Sequence, residues 1–318
     1  MLQTTLSPMT ASGGLARRAV ILGVLLAAGC RTTPAQEPTS TLTAPALTPT
    51  TAPSTSPPDE ESASAATPTR EPTALVSREE IIERYAGRVA QEWGTEVTGV
   101  VSTIADLEMS TPSVSGQVAL TFDACGGGGA GDGYDATLID LLRRHEVPAT
   151  LFLNSRWIRI HGALAAELAA DPLFQVACHG TRHVPLSVSG RDAYGIRGSA
   201  SVGEVYDELT ANVSWFEEHT GRVQPFTRPG TAHCDEVAAA IARDLGMPIA
   251  GFSVNGDGGA TFSSRMVRDT LLQLREGDIV LAHLNRPDGG TAAGCAEAIP
   301  ALLDRGVRFG ALPVTERL

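Results

Sequence analysis

Six charged or ionisable side chains lie at the ends of short apolar runs in this 318-residue sequence. They are Asp123, His179, His183, Arg228, Asp257 and His283. An ordinary loop would hold glycine, asparagine or serine at such positions, whereas carboxylates and imidazoles can bind a divalent metal ion and transfer protons. We therefore expect these residues to form one site that performs metal-assisted acid/base chemistry.

The two histidines of the pair His179 and His183 are four residues apart. Residues with this spacing face the same side of a helical turn, so both imidazoles could bind one divalent ion. The alternative is that both are buried histidines whose hydrogen bonds serve the fold alone. The spacing predicts a metal site on a helical turn.

The elements that would position these residues alternate from residue 116 onward. The predicted strands are 118–122, 149–153, 174–178, 248–254, 279–282 and 307–312, and the predicted helices are 135–145, 162–170, 203–219, 235–245, 265–274 and 293–304. Alternating strands and helices favour a parallel sheet covered by helices. A barrel is favoured because its active site is assembled at the C-terminal ends of successive strands, where the ionisable residues lie.

Five segments, in this order, resemble the motifs of the polysaccharide deacetylases of carbohydrate esterase family 4, the NodB-homology family. They are Thr121-Phe122-Asp123, His179-Gly180-Thr181-Arg182-His183, Arg228-Pro229-Gly230, Asp257 and Leu281-Ala282-His283. The resemblance covers about residues 116–315. It implies an α/β fold, a distorted (β/α) barrel of the NodB/glycoside hydrolase-deacetylase type.

The resemblance also implies a hydrolase that removes N-acetyl, or alternatively O-acetyl, groups from a polysaccharide. His179, His183 and Asp123 would bind a divalent metal, with zinc expected first and cobalt or manganese as alternatives. Asp123 would also take the proton of the attacking water as general base. His283 would donate a proton to the leaving nitrogen as general acid.

Arg228 and Asp257 are expected to support these two proton-transfer groups. Arg228 can form a two-pronged ion pair that orients Asp123 and keeps it ionised. Asp257, by resemblance to the family, would hold His283 and favour its protonated form. The alternatives are a surface ion pair for Arg228 and a purely turn-forming role for Asp257, which lies in a glycine-rich stretch.

The sequence departs from the family pattern at Ala124, where a second, metal-binding aspartate is usual. Alanine cannot coordinate a metal, so the site would use two histidines and waters, or an oxygen from Asp123, Asp132 or Asp135. Asp135 is also a candidate N-cap of the helix that follows it. Cys125, the next residue, is a candidate nucleophile.

Four cysteines lie outside the N-terminal region: Cys125, Cys178, Cys234 and Cys295. An even number in an exported domain permits disulfides, and three pairings are possible. Cys234 and Cys295 both follow motif residues, which makes them the first pair to expect. Cys178 ends an apolar strand and is expected as a buried thiol.

The N-terminal region has the features of an export signal. Arg17 and Arg18 precede an apolar run over residues 19–28, which is shorter than the roughly 20 residues needed to span a bilayer. The run ends in Leu26-Ala27-Ala28-Gly29-Cys30, which resembles a bacterial lipobox. We expect residues 1–30 to be a lipoprotein-type signal peptide with lipidation at Cys30, and the arginine pair leaves twin-arginine export open.

The remaining boundaries follow from composition. Residues 31–76 are rich in Thr, Pro, Ser and Ala, and no aromatic residue occurs before Tyr85, so this segment is expected to be an extended, unfolded linker. Residues 77–115 are expected to form a helix, from Ser77 to Gly94, and an irregular lead-in. The catalytic domain is then 116–318.

Composition also limits the function classes. The net charge is −12, and the basic residues, all arginine, form no cluster, so nucleic-acid binding is not expected. The expected partners are a polysaccharide substrate, such as peptidoglycan, and the membrane through a lipid anchor, with no protein partner implied. Two alternatives stay open: a non-catalytic glycan-binding or scaffold lipoprotein, which Ala124 favours, and an amidase acting on a small cyclic amide.

The lipobox resemblance leads to a localisation test. Wild-type protein should fractionate with membranes facing the cell wall or periplasm, and Cys30→Ala should release it, because the variant lacks the thiol that would carry the lipid. Immunoblots of membrane and soluble fractions measure the ratio. Equal soluble amounts of the two proteins would contradict lipidation at Cys30 while leaving export itself open.

Overall fold

The computed structural model describes residues 75–107, 117–221 and 224–314. The chain divides into two units, Met1–Ala65 and Ala66–Leu318, and every described residue belongs to the second. The predicted signal peptide, the lipidation site Cys30 and the linker as far as residue 74 lie outside the described residues.

The fold is built around a mostly parallel sheet whose strands carry the predicted site at one edge. The strands are β1 (Gln117–Ala124), β2 (Ala149–Leu153), β3 (Phe174–Cys178), β4 (Asp192–Ala193), β5 (Ile196–Arg197), β6 (Val254–Asn255), β7 (Ile279–His283) and β8 (Arg308–Gly310). Five of them run parallel in the order β3-β2-β1-β7-β6, and β8 pairs in parallel with the start of β1. Strands β4 and β5 form a separate antiparallel hairpin.

The regular strands alone form an open sheet, and single bridges continue it from β3 towards β6. Thr227 bridges Cys178 on one side and Ile249 on the other, and residues 248–253 then lead into β6. Pro225 and Pro229 flank Thr227 closely, and proline has no N–H to donate to a ladder, which explains why the pairing is so short. The predicted α/β fold with a parallel sheet is confirmed, and the predicted strand over 248–254 is regular only at its end.

Helices flank the sheet. They are α1 (Arg78–Arg84), α2 (Ala136–Arg144), α3 (Ser155–Ile160), α4 (Gly162–Ala170), α5 (Val202–Thr210), α6 (Val213–Thr220), α7 (Glu236–Asp244), α8 (Ser264–Leu271) and α9 (Thr291–Asp304). The single helix predicted over 203–219 is wrong, because Asn212 leaves the helical conformation and separates α5 from α6. Helix α1 ends at Arg84 rather than near Gly94, and α3 was not predicted. Within the described ranges, no helix has the length and apolar character that crossing a membrane requires.

The interior consists of distinct apolar clusters. One contains residues of β1, β2, β7, α2 and α9, and another contains residues of α1, α5 and α7. Cys295 belongs to the first and Cys234 to the second, and all four cysteines of the described ranges are free thiols. The expected Cys234–Cys295 disulfide is therefore wrong, because the two thiols are buried in different cores. Cys178 is a buried thiol, as predicted.

Helix α1 offers a matched test of how firmly the N-terminal segment is attached. Ile81 is fully buried in the cluster with α5 and α7, whereas its neighbour Ile82 is 37% exposed. Ile81→Ala should lower the free energy of unfolding by about 2–5 kcal/mol, and Ile82→Ala should cost clearly less, because only the first leaves a cavity. Urea denaturation of the two variants measures the difference. Equal losses would show that α1 is not anchored through Ile81.

Candidate active site

The predicted site residues meet at the C-terminal ends of the parallel strands. Asp123 near the end of β1 pairs in register with His283 at the end of β7. His179 directly follows β3, whose last residue pairs with the last residue of β2. Parallel strands end at one edge of the sheet, so a proton acceptor and a proton donor face the same space.

Arg228 fixes the position of Asp123. Both side chains are buried, and Arg228 Nη1 donates to Asp123 Oδ1 at 2.9 Å and to Thr121 Oγ1 at 2.7 Å. The Nε and Nη2 groups donate instead to the backbone oxygens of Ala250 and Gly251 at 3.0 and 2.8 Å. The predicted two-pronged pair with Asp123 is therefore wrong, because one nitrogen alone reaches the carboxylate. The alternative of a surface ion pair is also wrong, since Arg228 is 0% exposed.

Asp123 is kept ionised by its surroundings. Burial alone would raise its pKa, but the nearby positive charges of His179 and Arg228, with the hydrogen bond from Arg228, outweigh burial and hold the pKa below its usual value. An ionised carboxylate is the form that can accept a proton from water.

His179 presents one defined nitrogen to the site. Its Nδ1–H donates to the backbone oxygen of Arg228 at 2.9 Å, so Nε2 is the nitrogen that faces the site. Nε2 lies 3.6 Å from Asp123 Oδ2 and 3.7 Å from Cys125 Sγ. The His183 ring stands edge-on to the His179 ring, with 4.8 Å between the ring centres. The two histidines thus face one small volume.

The segment that carries the two histidines is a loop and not the predicted helical turn. Gly180 and His183 have φ values of +73° and +62°, which lie in the left-handed region. A backbone with two such residues cannot form a right-handed turn. The predicted geometry is therefore wrong, although the two imidazoles do meet.

Glu208 holds this loop in place, and sequence reasoning missed it. Its buried carboxylate on α5 accepts hydrogen bonds from the backbone N–H groups of Thr181, Arg182 and His183 at 2.9–3.0 Å. It also accepts a bond from Arg182 Nε at 3.1 Å. The available signal was a carboxylate on the buried face of α5, which it shares with Val205 and Leu209.

Cys125 lies with the two histidines, a position that the sequence analysis did not predict, since it considered this residue only as a candidate nucleophile. Its thiol and the ring nitrogens of His179 and His183 all lie within 4.8 Å of one another. Asp123 lies beside this three-residue cluster, and the two other carboxylates considered earlier are engaged elsewhere. Asp132 accepts a hydrogen bond from Gly128 N, and Asp135 caps α2 by accepting from Leu138 N.

The surroundings of Cys125 favour a thiolate. Burial opposes ionisation, but contacts with His179, His183 and His283 outweigh it, and the pKa of the thiol lies well below its usual value. Gly126, directly after it, adopts a φ of +65°, and a Cβ at this position would stand 2.5 Å from Trp157 N. Glycine is therefore required where the chain turns after Cys125.

His283 and Asp257 form the second buried pair. His283 Nδ1 donates to Asp257 Oδ1 at 3.0 Å, and the backbone N–H of His283 donates to Oδ2 at 2.7 Å. Thr291 Oγ1 and Ala260 N donate to the same carboxylate, each at 3.0 Å, so Asp257 also has the turn-forming role considered as an alternative. Burial lowers the pKa of His283, but Asp257 and Cys125 outweigh it and raise the pKa well above its usual value. His283 is thus set up as a proton donor, with Nε2 directed away from Asp257.

The role of Glu208 can be tested without an activity assay. Glu208→Gln replaces one acceptor oxygen by an N–H₂ group that cannot accept the loop's N–H bonds. The free energy of unfolding should fall by about 1–3 kcal/mol, because buried donors lose their partner. Glu218→Gln, an exposed change of the same chemistry on α6, serves as the control in urea denaturation. Equal stabilities of the two variants would contradict the anchoring role.

Comparisons with known proteins match part of this chain to a family. Residues 111–250 match the polysaccharide deacetylase family. A curated relative, the bifunctional xylanase/deacetylase of Pseudobutyrivibrio xylanivorans, is 22% identical over 196 residues, which are 60% of this chain and 29% of that protein. The chain thus spans less than a third of that relative.

Solved structures share the fold. BA3943 of Bacillus anthracis, a family 4 carbohydrate esterase pseudoenzyme, is 22% identical with a TM-score of 0.52, over 62% of this chain and 64% of that one. The Bc1960 peptidoglycan N-acetylglucosamine deacetylase is 21% identical with a TM-score of 0.52, over 64% of this chain and 88% of that one. The matched segment, the ordered motifs and the shared α/β fold agree: residues 111–250 of this chain match the polysaccharide deacetylase family, and the solved structures share its fold.

Proposed function

We propose that this domain is a metal-dependent hydrolase that removes N-acetyl groups from a cell-envelope polysaccharide such as peptidoglycan. The observation that carries the proposal is the pairing in register of Asp123 and His283 at neighbouring strand ends, each with its own buried partner. Amide hydrolysis requires an ionised proton acceptor and a protonated proton donor on two sides of the substrate-binding space.

The residues present fit a divalent metal ion. The bond from Nδ1 to Arg228 directs Nε2 of His179 into the site, where it lies with donors of His183 and Cys125 in one cluster. We infer that His179 and His183 would hold the ion, with zinc expected first. When bound there, such an ion polarises the acetyl carbonyl and lowers the pKa of a water molecule.

The chain's own residues would then move the protons. Asp123 accepts a proton from the attacking water, and Arg228 keeps the carboxylate oriented throughout. As the bond between the acetyl carbon and the sugar nitrogen breaks, His283 gives its Nε2 proton to that nitrogen. Asp257 stabilises the protonated form of His283 before the transfer. The products are acetate and a free amine on the glycan.

A glycan-binding or scaffold protein without activity is the second candidate. It is favoured by Ala124, which removes the expected carboxylate ligand, and by the likeness to a pseudoenzyme structure. The two intact proton-transfer pairs oppose it, because a protein that only binds glycan has no use for an ionised Asp123 opposite a protonated His283. The amidase alternative has no supporting observation beyond the shared chemistry.

The site would act outside the cytoplasm if the sequence features of residues 17–30 work as expected. A lipid on Cys30 would keep the domain at the membrane, and the segment up to residue 76 would let it reach the cell wall or the periplasmic glycan. A membrane-attached enzyme with a tether suits a polymeric substrate better than a small metabolite.

Released acetate tests the proposal. Zinc-loaded protein incubated with N-acetylglucosamine oligomers should release acetate, and Asp123→Asn and His283→Ala should each lower the rate about 10²–10⁴-fold, since each lacks one proton-transfer group. Asp140→Asn, an exposed carboxylate change on α2, should keep the wild-type rate.

Three results would contradict the proposal in different ways. If acetate were released from acetylated xylan but not from N-acetylglucosamine oligomers, the enzyme would act on O-acetyl rather than N-acetyl groups. Binding of oligomers without any acetate release would support the scaffold candidate. A His283→Ala variant as active as wild type would remove the assigned acid.

A further inference from the structure

The direction of side chains along β1 decides which residue can replace the missing carboxylate. Side chains of a strand point alternately to its two faces. Phe122 and Ala124 belong to the apolar cluster that also contains side chains of α2 and α9, whereas Asp123 lies between them and faces the site. The residue after Ala124 therefore returns to the face of Asp123, and that residue is Cys125.

The distances between the donor atoms of Cys125, His179 and His183 are compatible with one shared metal ion. With zinc–nitrogen and zinc–sulfur bonds of about 2.0–2.1 and 2.3 Å, the nitrogen and sulfur donors of a tetrahedral site are about 3.3–3.6 Å apart. Cys125 Sγ and His179 Nε2 are 3.7 Å apart, and the three donors including His183 lie within 4.8 Å of one another.

Cys125 differs from the other cysteines of the described ranges. Cys178, Cys234 and Cys295 are buried, while Cys125 is partly exposed and lies among histidines rather than apolar side chains. No second cysteine is bonded to it. Its position is that of a residue that can contact a ligand or an ion.

We propose that Cys125 is the third protein ligand of the metal, in the place that a carboxylate usually takes, and forms a sulfur–nitrogen–nitrogen site with His179 and His183. The inference rests on the proposed metal-dependent function and makes it more specific. It differs from the expectation that Asp123 completes the metal shell, and it would leave Asp123 to act as the base. Thiolate ligands favour zinc and cobalt over manganese or magnesium, so the chain should select soft metals.

Cobalt is a spectroscopic probe of this ligand. The full chain loaded with one equivalent of Co²⁺ should show the intense near-ultraviolet absorption of a thiolate-to-cobalt charge transfer. Cys125→Ser should lose this absorption, because the variant has no thiolate at the site. Cys295→Ala removes a buried thiol of α9 that is not part of the three-residue cluster, and this variant should keep the absorption.

Affinity supplies an independent measurement. Competition with a chelator should show that Cys125→Ser binds zinc more than about 100-fold more weakly, beyond the 10–100-fold typical of losing an outer-shell partner. Cys125→Asp should recover binding without the charge-transfer absorption, and its preference should shift from zinc towards manganese. Circular dichroism spectra that match wild type show that the variants are folded.

The outcomes separate this inference from the proposed function. Stoichiometric cobalt binding without charge-transfer absorption in wild type would overturn Cys125 as a ligand. Absorption that depends on Cys125, with no acetate released, would keep the ligand and remove the proposed function. Acetate release that survives exhaustive chelation but stops when Cys125 is alkylated would overturn the inference in favour of a cysteine nucleophile.

Discussion

The buried guanidinium of Arg228 is the interaction on which the site depends. Its nitrogens donate to Asp123, to Thr121 and to two backbone oxygens, and its plane lies 4.1 Å from the ring centre of Phe152. A buried charge is costly unless its donors are satisfied, and here the bonds link β1 to the irregular segment at residues 250–251. Through its own backbone oxygen the same residue orients His179. One side chain thus orients Asp123 and His179 and also connects β1 to residues 250–251.

The sequence allowed the parallel sheet and most helices to be predicted because hydrophobic periodicity is local. Strands 149–153 and 174–178 agree with the structure at both ends, and Asp135 caps α2 as its position suggested. That these residues lie close together could also be predicted, because the sites of such folds form at the C-terminal ends of the parallel strands. Asp123 and His283 pair in register for this reason, although 160 positions separate them.

The parts that could not be predicted depend on tertiary contacts. The spacing of His179 and His183 suggested a helical turn, but Glu208 on a distant helix holds the intervening N–H groups in a loop. Pattern reasoning also paired Cys234 with Cys295, because it could not show that the two are buried in different cores. The place of Cys125 in the donor cluster was not predicted, because Ala124 occupies the ligand position of the family motif. Which of the two residues faces the site depends on where β1 ends, and the sequence pattern did not define that point.

The proposal that Cys125 binds the metal would explain Ala124 and Cys125 together, as one exchange of ligands. Read alone, Ala124 indicates a protein that has lost its metal, as a pseudoenzyme would. A protein of that kind would still bear the cost of burying an ionised Asp123 and a charged His283–Asp257 pair, which contribute little to stability compared with apolar residues of the same volume. If the proposed metal site formed by Cys125, His179 and His183 is correct, these buried charges would serve catalysis, because the three donors lie beside them. A thiolate ligand would also leave Asp123 with a single role, whereas a site that uses Asp123 as a ligand would have to share its general base with the ion.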